Sequence, residues 1–268
     1  MPARPQDVAP FHALHREFLI LPNAWDAASA RVIQEAGAKA IATSSAAVAW
    51  AHGFADGHHL PISKLATMIE EIARVVSVPI TADAEAGYSD DPRQVGENVA
   101  ALIGAGAVGI NLEDGKAPHE LHLRKIEAAR EAGQRAGVEL FINARTDVYL
   151  KQLAPPEGAV AETLRRAAAI KQAGANGLFA PGVVKSSDVA AIAEGAGMPL
   201  NVMAWPGLPD AAELRALGVR RLSAATGIFN AALAGAREAA VDFLAQGDSN
   251  TLWQRRGDPL DYNKLFGG

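Results

Sequence analysis

The stretch "ALIGAGAVGINLED", residues 101–114, decides the fold. An apolar helical run stops at a small Ala-Gly break, a short apolar strand follows, and the strand ends in two acids. The glycine suits a helix C-cap, because it takes the left-handed conformation with no Cβ penalty. The same order recurs in "VIQEAGAKAIATSS" (32–45), "EAGQRAGVELFINART" (131–146), "AIKQAGANGLFAPG" (169–182) and "RALGVRRLSAATG" (215–227). Three further strands are "FLILPNA" (18–24), "VPITADAE" (78–85) and "LNVMAW" (200–205). Strands that alternate with helices imply parallel βαβ units. About eight such units over nearly the whole chain predict a TIM (β/α)8 barrel, an α/β fold. A doubly wound open sheet is the alternative, but no G-x-G-x-x-G follows the first strand. No composition shift marks a boundary. Residues 1–268 therefore read as one barrel domain, with 228–268 as a C-terminal helical extension.

Composition narrows the function classes. The 268 residues are 49% hydrophobic, enough for one large core. Net charge is -5, from 25 basic and 30 acidic residues in no long blocks, which argues against nucleic acid as a partner. With no cysteine, disulfides, thiolate metal sites and a cysteine nucleophile are excluded. The start "MPARPQDVAP" has no apolar stretch suited to export, and the apolar windows are too short and Gly-broken to span a bilayer. The expectation is a soluble cytoplasmic protein with no membrane partner.

In a barrel of this kind the carboxyl ends of the strands build the active site. The first strand ends in Asn23, Trp25 and Asp26, the second in Thr43, Ser44 and Ser45, and the third in Asp83 and Glu85. Glu113 and Asp114 end the fourth, and the fifth carries Asn143, Arg145 and Asp147. The sixth ends in "APG" and the eighth in Ser223. Side chains two apart on a strand share a face, so Asp83 and Glu85 should aim at one mouth, with Glu113 beside them. Three converging carboxylates repel, and a hard divalent cation removes the conflict. Mg²⁺ takes one or two carboxylates, several waters and a substrate oxygen. Arg145 offers a planar fork to a substrate carboxylate or phosphonate, or acts as counter-ion to the acids, or both. Asp26 and Asp90 read instead as helix caps.

At these residues the chain resembles the isocitrate lyase/phosphoenolpyruvate mutase superfamily. The segments are "PNAWDAASARVIQEAGAKAIATSSAAVA", "GFADG", "PITADAEAGY", "AGAVGINLEDG", "INARTD" and "LNVMAWPGLPDAAELRALGVRRLS", in family order from about residue 18 to 227. The resemblance implies Mg²⁺, with Mn²⁺ as a substitute, bound directly through Asp83. Asp56, Glu85 and Glu113 would reach the metal largely through water. It implies a small 2-oxo acid or carboxylate held by Ser44, Ser45 and Ala46, with Arg145 on an oxygen. Trp25, at the end of the first strand, is a further substrate-binding candidate. It also implies homotetramers, dimers of dimers, that exchange the last helix. Family members commonly have a second aspartate where this chain has Glu85.

Other departures matter more. Family lyases carry a cysteine in a mobile loop after the fourth-strand glutamate, where this chain has the short "DGKAPHELHLRKIEAAREA". Pro181 and Gly182 stand where several members place a histidine or glutamate. His119 is the leading replacement acid or base, with Lys116, His52, His58 and His59 as further candidates. Decarboxylation asks least of such a site, since it needs only a stabilised enolate and a proton. The expected function is a Mg²⁺-dependent carbon–carbon lyase or decarboxylase acting on a small 2-oxo or 2-hydroxy di- or tricarboxylate, oxaloacetate- or methylisocitrate-like, through an enolate. The alternatives are a phosphonopyruvate-directed mutase or hydrolase, and a weakly catalytic 2-oxo-acid-binding protein.

Overall fold

The computed structural model describes residues 4–115, 117–256 and 260–267. Nine parallel strands form one sheet: β1 (Leu19–Leu21), β2 (Asn23–Ala24), β3 (Ile41–Thr43), β4 (Ile80–Asp83), β5 (Gly109–Glu113), β6 (Phe141–Arg145), β7 (Gly177–Phe179), β8 (Leu200–Met203) and β9 (Arg221–Ser223). Their order is β1-β9-β8-β7-β6-β5-β4-β3-β2. β1 and β2 are halves of the expected first strand, parted at Pro22, which has no N–H for a ladder. β1 pairs with β9 and β2 with β3, so the chain joins the two sheet edges. The result is the expected barrel, nearly closed and ringed by helices.

Those helices are α1 (Val8–Leu14), α2 (Ala27–Glu35), α3 (Ser45–Ala51), α4 (Ile62–Val75), α5 (Pro92–Ala105), α6 (His119–Arg135), α7 (Ala159–Gln172), α8 (Ser186–Gly195), α9 (Ala211–Ala216), α10 (Gly227–Gln246), α11 (Ser249–Arg255) and α12 (Tyr262–Leu265). The quoted stretch behaves as read: α5 stops at Gly106, at φ 116°, and β5 begins three residues later. Ile41, Ile80, Ile110, Ile142 and Leu178 face outward from the strands, fully buried in one core with α4, α5 and α6. Each such side chain contributes roughly 1.5–3 kcal/mol.

Two elements were not legible in the pattern. α1 plugs the amino end of the barrel. Its Phe11 meets Phe141 edge-on at 5.5 Å, and His15 stacks on Phe141 at 3.9 Å. Gly109 makes room for this plug, since a Cβ there would lie 2.6 Å from the Phe11 ring. α3 converts the expected serine loop into a helix start, with Ser44 as its N-cap.

The cap expectations divide. Asp26 caps α2 in a capping box with Ser29, at 2.7 Å. Asp90 does not cap α5. Asp91 does, while Asp90 pairs with Lys125 at 3.1 Å. At the carboxyl end, α10 buries only Phe229 among its residues, and Leu233, Val241 and Leu244 stand exposed. α11 folds back on α10 through Arg255 and Glu238, and the Leu265 carbonyl accepts from Arg31 at 3.2 Å. Residues 257–259 and 268 of the expected extension lie outside the described residues.

Candidate active site

A cavity of about 240 Å³ opens at the carboxyl ends of the strands. Ser44, Ser45, Ala46, Asp56, Asp83 and Arg145 line it together with Asn23, Asn111 and Ser223. The barrel thus brings most of the expected substrate residues to one mouth.

Local hydrogen bonds fix its floor. The Asp83 backbone N–H donates to Thr43 Oγ1 at 2.9 Å, and the Ser45 N–H donates to Asp83 Oδ2 at 2.9 Å. Asn23 Nδ2 donates to the Thr43 carbonyl at 2.7 Å, tying β2 to β3 at the rim. Among the described residues Asp83 Oδ1 takes no hydrogen bond, so one carboxylate oxygen stays open toward the cavity. The Ala46 N–H, in the first turn of α3, has no intrahelical acceptor and suits a carboxylate.

The three expected metal carboxylates do not converge. β4 ends at Asp83, and Glu85 takes a left-handed backbone at φ 48°, which breaks the two-residue alternation. Its carboxylate turns to the backbone N–H of His58, at 2.6 Å, and to the Tyr88 hydroxyl, at 3.0 Å. Glu113 is held by Arg145 Nη1 at 2.7 Å. Both glutamates line an adjoining hollow with Gly57, His58 and Lys151, rather than the central cavity. Among the described residues no three His, Asp or Glu side chains gather closely enough to hold a metal ion. The donors that are present fit Mg²⁺ with one direct carboxylate, Asp83, and water for the rest.

Burial dominates the electrostatics. It pushes Glu85 up to about 7, helped by the charge of Asp83 and opposed by the His58 N–H. Glu113 also rises to about 7 through burial, against the pull of Arg145. Burial works against the Arg145 charge, but Glu113 and Asp147 outweigh it and hold the guanidinium firmly protonated. Asp147, fully buried, accepts from Arg145 Nε at 2.7 Å and pairs with Lys151 at 2.5 Å. Arg145 is therefore both counter-ion and cavity wall, with Nη2 left unassigned.

Two expected residues fall elsewhere. Trp25 packs edge-on against Phe229 at 5.2 Å and does not line the cavity, because α10 crosses β2 there. His119 starts α6 on the outside of the barrel, buried near Arg165 and Arg166 of α7. Burial and these two cations lower its pKa, and neither ring nitrogen has a partner. It cannot serve chemistry at the mouth. Lys116 lies outside the described residues. His58 Nε2 accepts from the Ala86 N–H at 3.1 Å, and His52 lies beside the Val48 carbonyl at the end of α3.

Sequence reasoning missed the cavity's apolar lining residues, Trp50, Leu150, Phe179, Met203 and Trp205, of which Phe179 lies 5.7 Å from the Arg145 guanidinium carbon. It also missed Arg221, which is fully buried inside the barrel and donates to Asn111 Oδ1 at 3.2 Å. Strand alternation through "NLE", "LFA" and "RLS" would have turned Asn111, Phe179 and Arg221 inward.

A family model described as phosphoenolpyruvate phosphomutase matches residues 11–244. The chain belongs to that family. It is thereby a member of the isocitrate lyase/PEP mutase superfamily, an enzyme of its lyase and mutase class. An uncharacterized protein of Mycobacterium tuberculosis (strain ATCC 25618 / H37Rv) is 35% identical over 236 residues, 86% of this chain and 87% of the relative. An oxaloacetate decarboxylase of Pseudomonas fluorescens (strain SBW25) is 31% identical over 188 residues, 65% of this chain and 62% of the relative. A Burkholderia cenocepacia J2315 structure provisionally assigned as a phosphonomutase superposes with a TM-score of 0.83 at 40% identity. That match covers 90% of this chain and 100% of the other.

Proposed function

We propose that the protein is a Mg²⁺-dependent carbon–carbon lyase or decarboxylase that acts on a small 2-oxo or 2-hydroxy acid through an enolate. The observation that carries this reading is the placement of Arg145. It is clamped at 2.7 Å by Glu113 and at 2.7 Å by Asp147, and it lines one small cavity with Asp83, Asp56 and the Ser45 turn. A clamped guanidinium needs little reorganisation as charge develops on a substrate oxygen.

In this reading the first turn of α3 receives the substrate carboxylate, and Arg145 Nη2 faces the 2-oxo oxygen. Asp83 would hold the metal directly with Asp56 of the same cavity on its waters, while Glu113 positions Arg145 and Glu85 holds the His58 turn. Bound Mg²⁺ would supply Lewis-acid stabilisation of the same oxygen. Cleavage leaves its electron pair on the C2–C3–O system, and C3 takes a proton from water. No side-chain acid is required, which suits a mouth without His119 or a cysteine.

The likeness to the structure assigned as a phosphonomutase favours a second reading, a phosphonopyruvate-directed mutase or hydrolase. A weakly catalytic 2-oxo-acid binder is the third. For assembly we propose the homotetramer, a dimer of dimers, since a 20-residue α10 with one buried residue leaves an apolar face open. Among the described residues no helix is long and apolar enough to cross a membrane.

The test is turnover of oxaloacetate with Mg²⁺, followed beside solvent-proton exchange at C3 of pyruvate by NMR in D₂O. Decarboxylation with exchange supports the reading. Phosphonopyruvate turnover without either would favour the second, and binding with no turnover or exchange would favour the third.

A further inference from the structure

The cavity lining combines two chemically different sets of side chains. The polar set includes Asp83, Ser45, Asn111 and Arg145. Its apolar lining is Trp50 from α3, Leu150 after β6, and Met203 and Trp205 at the end of β8, while Phe179 of β7 lies under Arg145, 5.7 Å from its guanidinium carbon. Among the described lining residues Arg145 is the one Lys, Arg or His, and two of its nitrogens are already spent on Glu113 and Asp147. The free Nη2 and its two N–H groups serve one substrate locus, the oxygen at C2. A further carboxylate finds no second cation in the lining, only neutral hydroxyl and amide groups or the aromatic and thioether surface, and burial of a charge without a counter-ion is costly.

We propose that Trp50, Leu150, Met203 and Trp205 form a specificity subsite for the C3 side of the substrate, one that takes alkyl groups and rejects permanent anions. The inference rests on the proposed 2-oxo-acid chemistry and names its substrate class: 2-oxo acids with an apolar distal end, and C3 carboxylates that leave. A tricarboxylate or a phosphonate keeps its extra charge throughout and stays penalised. A C3 carboxylate escapes the penalty by reacting. The C3–C4 bond breaks, its electron pair forms the C2–C3 double bond, and the 2-oxo oxygen becomes the enolate oxygen beside Arg145. Neutral CO₂ departs along the apolar wall, and C3 then takes a proton from water, whose hydroxide combines with CO₂ as bicarbonate. Negative charge thus moves from a carboxylate without a counter-ion to the oxygen beside Arg145.

The experiment compares 2-oxopentanoate with 2-oxoglutarate by calorimetry in the presence of Mg²⁺. The two differ at one end, a terminal methyl in the first and a terminal carboxylate in the second. Binding of 2-oxopentanoate at least tenfold tighter is expected. Trp205 is half exposed, so Trp205→Arg tolerates its charge, and circular dichroism checks the fold. Met203→Arg repeats the change deeper in the wall. Each variant should reverse the preference toward 2-oxoglutarate. With oxaloacetate, each should lower KM and lower kcat at least fivefold, because the ground state is then stabilised more than the transition state. Binding of neither acid by the wild type would overturn the 2-oxo-acid reading itself. Equal or tighter 2-oxoglutarate binding by the wild type, or variants with unchanged preference and unchanged kcat, would overturn the subsite alone.

Discussion

Arg145 Nη1 rests 2.7 Å from Glu113 Oε2, and the two residues are register partners across the β5–β6 ladder. The sheet itself sets this pair. Parallel pairing fixes both Cα positions, and Asp147 two residues later pins the other edge of the guanidinium. A side chain held on two sides loses little entropy on meeting substrate.

Arg145→Lys should therefore fold and fail. An ammonium reaches one acid and cannot span Glu113, Asp147 and substrate together. Steady-state kinetics should show kcat/KM down by at least about 100-fold, with a melting temperature close to wild type. Near wild-type kcat/KM would reduce Arg145 to a structural counter-ion.

Arg221 makes a contrasting case. It is fully buried, its Nε and Nη1 have no partner, and burial lowers its pKa to about 9 despite the opposing charge of Asp83. Such a charge costs stability rather than adding to it. Arg221→Met should keep the melting temperature or raise it, while kcat/KM drops about tenfold as the acid-lined mouth loses positive charge beneath it. A melting temperature more than about 10 °C lower, with normal activity per folded molecule, would contradict this.

At the barrel floor, burial lowers His15 to about 3, with the charge of Arg221 adding to the effect. Its ordinary value is 6.5, so the unfolded chain binds a proton that the folded chain refuses. Stability from this group is complete above pH 6.5 and is lost as pH falls toward 3, at up to about 1.4 kcal/mol per pH unit. Melting curves from pH 7 to pH 4 should fall less steeply for His15→Phe than for wild type. Parallel curves would show that His15 does not carry the loss.

The barrel was legible because its signal repeats. Each helix, small-residue break and strand states the same local preference, and the Gly106 stop shows it directly. The mouth was legible where strand ends carried charge, as with Asp83, Glu113 and Arg145. It was misread where backbone geometry left the strand. Glu85 obeys period two in sequence, yet its left-handed φ turns it to His58 and Tyr88. His119 looked close to Glu113 in sequence, but the helix it begins lies outside the barrel. Trp25 ends the first strand in sequence, and only the path of α10 shows that Phe229 claims it. Phe179, Met203 and Trp205 went unseen because an apolar residue at a strand end has no chemical signature until the cavity is drawn around it.

The central claim is that Asp83 holds a divalent cation that links to 2-oxo-acid binding. The Ser45 N–H donates to Asp83 Oδ2 at 2.9 Å, so Asp83→Asn can keep that bond while removing the charge. The most direct measurement is calorimetric titration of 2-oxobutyrate into wild type, Asp83→Asn and Asp83→Ala, each with and without Mg²⁺. Wild-type affinity should rise at least tenfold with Mg²⁺, and both variants should fold and show no Mg²⁺ dependence. Mg²⁺-linked affinity that survives unchanged in both variants would contradict the account.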